Sequence, residues 1–229
     1  MKKLQCIILA RGGSKGLIRK NLTNFCGKPL LQWTVEQALI AKHVSSVWVS
    51  SDNEEILNLS QSLGANTILR PDEFSDDTST SESAWLHAIN YIEENSQDNV
   101  SVVLAPQCTS PVREVRDFDE SIEKYFNEKY DSLFSGSIAT DFNLWRYNEN
   151  KELFSYTYDH SARGRRQEKP LQIVENGSFY IFKTDLLKKY NNRLGGRIGV
   201  HIMEFWKSFQ IDESEDLEFC ENLMRNYLN

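Results

Sequence analysis

The segment Ile8–Asn21, ILARGGSKGLIRKN, gathers the residue types that hold a phosphate: three glycines, a serine, and the cations Arg11, Lys15, Arg19 and Lys20. Glycine lets backbone N–H groups close on an anion, and flanking Arg and Lys neutralise its charge. Spacing excludes the two common glycine loops. A P-loop needs GxxxxGK[ST] running into a helix, but here the lysine precedes the last glycine. GxGxxG fails because Gly12, Gly13 and Gly16 are wrongly spaced. What is left is a long strand-to-helix connection, Arg11 to Lys28, with five cations and no acid, inside a chain of net charge −7. Connections this long in compact domains are usually functional or disordered. A solvated basic loop is the plainer alternative; the sharp segregation of charge favours an anion site.

Other groups invite chemistry less specifically. Arg163, Arg165 and Arg166 lie within four residues, next to Gln167. Guanidinium groups so close repel one another unless an anion or a partner's acids sit nearby, and a carboxylate suits them bidentately; an exposed basic turn would read the same. Ser79 and Ser81 offer hydroxyls ahead of a helix, yet Ser79 with Glu82 also reads as a capping box. Asp212 is a candidate metal ligand, or the N-cap of the last helix with Glu215 in capping-box position. Asp52 either holds the basic loop or caps the following helix. Asn176–Gly177 suits a plain turn as well as a pocket wall. No histidine or acid stands out as a general base.

These residues need a scaffold, and the apolar pattern supplies one. Leu4–Ala10, Val47–Ser50, Val102–Ala105, Ser132–Ser135 and Phe179–Phe182 are unbroken runs, as expected of strands buried on both faces, and Thr67–Leu69 reads as a short one. Between them lie helical stripes: Leu31, Val35, Ala38 and Leu39 after a first-turn Pro29; Ile56, Leu59, Ser60 and Leu63; Trp85, Ala88, Ile89 and Ile92; Phe118, Ile122, Tyr125 and Phe126. Leu217, Cys220, Leu223, Met224 and Tyr227 mark a final helix. The alternation predicts one α/β domain over residues 1–229, three layers deep with a mostly parallel sheet. Thr140–Pro170 breaks the period and reads as a small β-rich arm. The anion loop then falls at the carboxyl edge of the sheet, where open α/β sheets bind ligands.

Hydrophobic residues make up 40% of the 229, enough for a real core. The acidic balance opposes a nucleic-acid or anionic-membrane binder. No run reaches the length of a membrane span, and the apolar stretch after Gln5 is too short for a signal peptide. Four scattered cysteines without CxxC spacing suit reduced thiols, so the expected location is the cytoplasm.

The blocks LARGGSKGLIRKNL, SVWVSSDNEEI, RPDEFSDDTSTS, PQCTSP, RGRRQ…VENGSFYIFK and SFQIDESEDLE follow one another in the order of a known family. Together they resemble the acylneuraminate cytidylyltransferases, which activate nonulosonic acids with CTP. The resemblance implies a Rossmann-like nucleotidyltransferase fold, Mg²⁺, and a homodimer whose arm reaches into the neighbouring subunit. It implies that Arg11, Gly13, Ser14, Lys20 and Asn21 cradle the CTP phosphates, and that Arg70, Ser79 and Ser81 bind the nucleotide. It assigns Gln107, Arg163, Arg165, Gln167, Asn176 and Gly177 to the sugar acid, with Arg165, Lys20 and Arg11 the catalytic candidates and Asp212 the metal ligand. Three departures stand out: Ile18 and Cys108 where proline is common, and Gln210 in place of the first acid of an Asp-Ile-Asp triplet. The last leaves one carboxylate for the metal. Legionaminic, pseudaminic, deaminated or eight-carbon keto-sugar acids are alternative acceptors, and a non-catalytic nucleotide or sugar sensor is the alternative outside enzymes.

Overall fold

The computed structural model describes residues 4–14, 16–76, 78–96, 99–139, 142–162 and 164–228, the Arg166 side chain excepted. Its first strand, β1 (Leu4–Leu9), leads into the basic loop. That loop is not featureless up to Pro29. It makes a 3-10 turn at Lys20–Leu22 and a hairpin of β2 (Asn24–Phe25) and β3 (Lys28–Pro29). Cys26 and Gly27, both at positive φ, form the hairpin turn, the geometry that matches strand twist. Pro29 therefore ends β3 and stands one residue before α1 (Leu30–Ile40), not in its first turn.

The chain continues through β4 (Val44–Ser51), α2 (Glu54–Ser62), β5 (Asn66–Leu69), α3 (Ser81–Asn95), β6 (Val102–Pro106), α4 (Val115–Asn127) and β7 (Ser132–Ala139). An excursion holds β8 (Trp145–Tyr147) and β9 (Leu153–Ser155). It returns through β10 (Gln172–Lys183), α5 (Thr184–Tyr190), β11 (Ile198–Met203) and α6 (Ser214–Tyr227). Seven strands form one sheet in the order β11-β7-β10-β6-β1-β4-β5. β10 runs antiparallel to β6 and β7, and the other pairs are parallel.

Strand residues alternate between two cores. Cys6, Ile8, Leu104, Phe179 and Ile181 face α1, α2 and α4, while Ile7, Val103, Ala105, Tyr180 and Phe182 face α3 and α5. Cover on both faces is why these strands read as continuous apolar runs. The three-layer, mostly parallel α/β fold expected from the pattern is present. A third cluster joins α6, through Cys220 and Met224, to Phe25 of the hairpin and to Ile211. It pins the last helix beside the basic loop. Leu39 leaves the predicted α1 stripe for solvent.

β8 and β9 pair antiparallel and project Trp145, Tyr147, Leu153 and Phe154 outward. No helix of the described residues is long and apolar enough to cross a membrane.

Candidate active site

A cavity of about 270 Å³ opens where β1 and β6 end, lined by Arg11, Ser14, Lys20, Asn21, Ser81, Trp85 and Gln107 among others. The loop is braced from three sides. Asn21, itself buried, donates from Nδ2 to the Arg11 carbonyl at 2.9 Å. Asp52 accepts from the Gly12 N–H at 2.8 Å, so it holds the loop, while Asn53 caps α2. Gly16 packs on the turn before α6; a Cβ there would come within 2.5 Å of the Asp212 carbonyl oxygen. Only glycine permits that approach.

The positive charge of the loop divides between structure and cavity. Arg19 is paired with Glu55 and Lys28 with Glu36. Arg11 and Lys20 line the cavity, and Lys15 lies outside the described residues. Lys20 Nζ meets Asp212 Oδ1 at 2.8 Å.

Asp212 is not the cap of α6. Glu213 is the N-cap and forms a capping box with Asp216. Asp216 accepts from the N–H groups of Glu213 and Asp212, both at 2.8 Å, and these bonds hold its carboxyl below the usual range. The Asp212 side chain is thereby left exposed and paired with Lys20, which lines the cavity. Among the described residues no three His, Cys, Asp or Glu groups converge as a metal cage. One carboxylate with phosphate oxygens and water is nevertheless a normal Mg²⁺ environment, and Asp212 fits it.

Gln210 has a different task. Its Nε2 donates to the Asn176 carbonyl at 2.8 Å, and its Oε1 accepts from Thr109 Oγ1 at 3.4 Å. Gly177, at positive φ, leaves the space that this amide occupies. The Asn176 amide is turned into the core: Oδ1 accepts from Ser135 Oγ at 2.6 Å and from the Ser178 N–H at 3.1 Å. The Asn176–Gly177 pair is thus the irregularity in β10 between its two stretches of pairing with β7.

Ser81, the first residue of α3, faces the cavity. The expected cap at Ser79 is corrected: Thr80 caps α3, accepting from the Ser83 N–H, because Ser79 is occupied by Asp76. Hydroxyls of Ser79 and Thr78 hold the Asp76 carboxyl down to about 2. Arg70 is buried beside the lining, with Nε donating to Ser75 Oγ at 2.9 Å. Burial lowers its pKa, with Asp52 opposing and Arg11 adding to the effect, which places the three groups in one electrostatic neighbourhood.

Arg165 and Gln167 are exposed on the arm and do not line the cavity of their own chain; Arg163 lies outside the described residues. Gly13 is exposed beside Ser14. Cys108 lines the floor, and burial pushes its thiol up to about 12, so it supplies no thiolate. Sequence reasoning assigned Trp85 to the core alone, but it serves both core and cavity. Thr109 was missed, since a threonine in a loop carries no pattern.

A family model described as Cytidylyltransferase matches residues 5–229. N-acylneuraminate cytidylyltransferase A of Danio rerio is 34% identical over 224 residues, which cover 96% of this chain and 50% of that protein. The chain thus spans about half the length of that relative. Pseudaminic acid cytidylyltransferase of Campylobacter jejuni subsp. jejuni serotype O:23/36 is 30% identical over 233 residues, covering 98% of this chain and 97% of its own length. Among solved structures, CMP:2-keto-3-deoxy-manno-octonic acid synthetase complexed with CTP has the same fold, with a TM-score of 0.72 at 17% identity and coverage of 98% and 99%.

Proposed function

The chain belongs to the cytidylyltransferase family, and we propose that it transfers CMP from CTP to the anomeric 2-hydroxyl of a nonulosonic acid. The hydroxyl oxygen attacks the α-phosphorus in line. The bond from that phosphorus to the bridging oxygen of the β-phosphate breaks, pyrophosphate leaves, and the hydroxyl proton passes to solvent. The observation that carries this reading is the convergence of Arg11 and Lys20 on one cavity at the carboxyl edge, with Asp212 against Lys20.

Each group then has a task. Arg11 and Lys20 stabilise negative charge on the transferring phosphoryl group from a loop whose backbone is already braced. Ser14, Gly13 and Asn21 shape the phosphate cradle, and Ser81 serves the nucleoside side, with Arg70 and Ser79 supporting it from beside the cavity. Gln107 meets the acceptor, with Asn176 and Gly177 behind it. Mg²⁺, held by Asp212 together with phosphate oxygens, would neutralise charge on the departing pyrophosphate. Lys20 would exchange Asp212 for the phosphate when CTP enters.

Arg165, Arg163 and Gln167 complete the acceptor site in a second copy of the chain. The exposed aromatic arm supports this, since its apolar side chains lack cover within one subunit. The four free thiols support a cytoplasmic location.

The test is pyrophosphate release from CTP and Mg²⁺ with a panel of sialic, pseudaminic, legionaminic and eight-carbon keto-sugar acids. Release with one of them is expected. CTP binding without release from any acid would leave a nucleotide sensor instead.

A further inference from the structure

Arg113 is one of the largest fully buried side chains, and it bonds the backbone of Gln107, which lines the cavity. Its hydrogen-bond partners among the described residues are all neutral. Nη1 is shared among the carbonyls of Gln107 at 3.0 Å, Ser110 at 2.7 Å and Ser178 at 3.1 Å, with Ser178 Oγ at 3.3 Å. Nη2 donates to Thr34 Oγ1 at 2.6 Å, and Nε to Gln37 Oε1 at 3.0 Å. One guanidinium therefore joins three pieces of chain: the loop after β6, the Asn176–Ser178 irregularity in β10, and α1. Gln37 closes the arrangement by donating to the Pro111 and Arg113 carbonyls.

A buried cation is costly unless it is fully hydrogen-bonded. An apolar residue would fill the volume but leave these buried acceptors unpaired, and only a planar fork with donors on all three nitrogens serves the three pieces of chain at once. What the fork adds is a side-chain tie between the loop after β6 and Ser178 of β10, just beyond the Pro106–Phe179 pair where the regular ladder ends. It stands beside a direct backbone link, from the Gln107 N–H to Ser178 O at 2.9 Å.

We propose that Arg113 is a positioning residue for the acceptor half of the site, tying the Gln107 loop to Ser178 and so setting Gln107 against the sugar acid. This rests on the acceptor role read for Gln107 above. Among the described residues the guanidinium's hydrogen bonds go to Gln107, Ser110, Ser178, Thr34 and Gln37, on the Gln107 side of the cavity rather than to Lys20 or Asn21.

The test is steady-state kinetics with each substrate varied in turn, on wild type, Arg113→Lys, Gln107→Ala and the double variant. Arg113→Lys keeps a charge but loses the fork. It is expected to raise the sugar-acid KM about tenfold while the CTP KM stays within about twofold. The double variant should be no worse than Gln107→Ala alone, since residues acting through one contact are not additive. Equal rises in both KM values, or additive losses, would overturn the proposal. If Arg113→Lys fails to fold, judged by its melting curve, Thr34→Val removes the Nη2 acceptor and leaves the rest of the fork in place. The same one-sided shift in sugar-acid KM is expected there, and an unchanged KM counts against the proposal. Wild type that releases no pyrophosphate with any acid overturns the function itself, and this inference with it.

Discussion

At position 210 a carboxamide does what a carboxylate cannot. Its Nε2 donates to the Asn176 carbonyl at 2.8 Å, and an ionised aspartate has no proton to give. Gln210→Asp would leave that carbonyl unpaired beside a negative charge. The expected loss is about 1–3 kcal/mol, a fall in Tm of roughly 2–12 °C at this chain length. Mg²⁺ half-saturation should not improve. An unchanged Tm would mean the amide bond does not hold the turn. Two residues on, Asp212 makes no capping bond and faces Lys20. Asp212→Ala should lower Mg²⁺-dependent turnover roughly 100-fold, in the range seen when metal sites lose a supporting group, with Tm nearly unchanged. Near-normal turnover would remove Asp212 from the metal site. Position 210 was legible as a departure, but its partner was not, because Asn176 is 34 residues away in the chain.

Among the elements, the start of α4 carries the densest buried charge. Glu114 and Asp117 form its capping box, and Lys207, fully buried, reaches both at 2.8 and 3.0 Å. Burial pushes the Asp117 carboxyl up, but bonds from His201, the Glu114 N–H and Lys207 outweigh it and leave the pKa lowered. A lowered carboxyl contributes stability above the unfolded value, about 3.9, and loses it as pH falls through the folded value. Lys207 is raised despite its burial, by Glu114, Glu204 and Asp117. Its contribution is therefore complete below about 10.4 and is lost as pH rises through the folded value. Urea unfolding at pH 6 and pH 3 checks the acid side: Asp117→Asn should lose less stability between the two than wild type does. Equal losses would show that Asp117 does not titrate with folding. β11 illustrates why an element can be invisible in sequence. Gly199 and His201 face inward while Ile198 and Ile202 face solvent, the reverse of the alternation that marks a half-buried strand.

For the whole molecule, the proposed shared site turns on the arm. Trp145, Tyr147, Leu153, Phe154 and Tyr156 are exposed together on a short hairpin, and a two-stranded hairpin alone is marginal in water. Replacing Trp145 and Tyr147 by serine should turn a dimer into a monomer in sedimentation. On the proposed shared site turnover should fall at least about tenfold, because Arg165 is then withdrawn from the second copy, while CTP affinity stays within about twofold. A monomeric wild type, or a monomeric variant with full turnover, would refute the shared site.

Local chemistry in the chain determined the three-layer sheet, the anion loop and its place at the carboxyl edge. Apolar period, glycine content and charge runs are properties of neighbouring residues, and they survive without knowledge of distant contacts. Tertiary structure alone decided which cations serve the cavity, since Glu55 and Glu36 take Arg19 and Lys28. It also decided that Glu213, not Asp212, caps α6, and that Gln210, Asn176 and Thr109 meet. Those outcomes depend on contacts between residues far apart in the chain, and the pairing strength of a side chain is set by which partner the fold delivers to it.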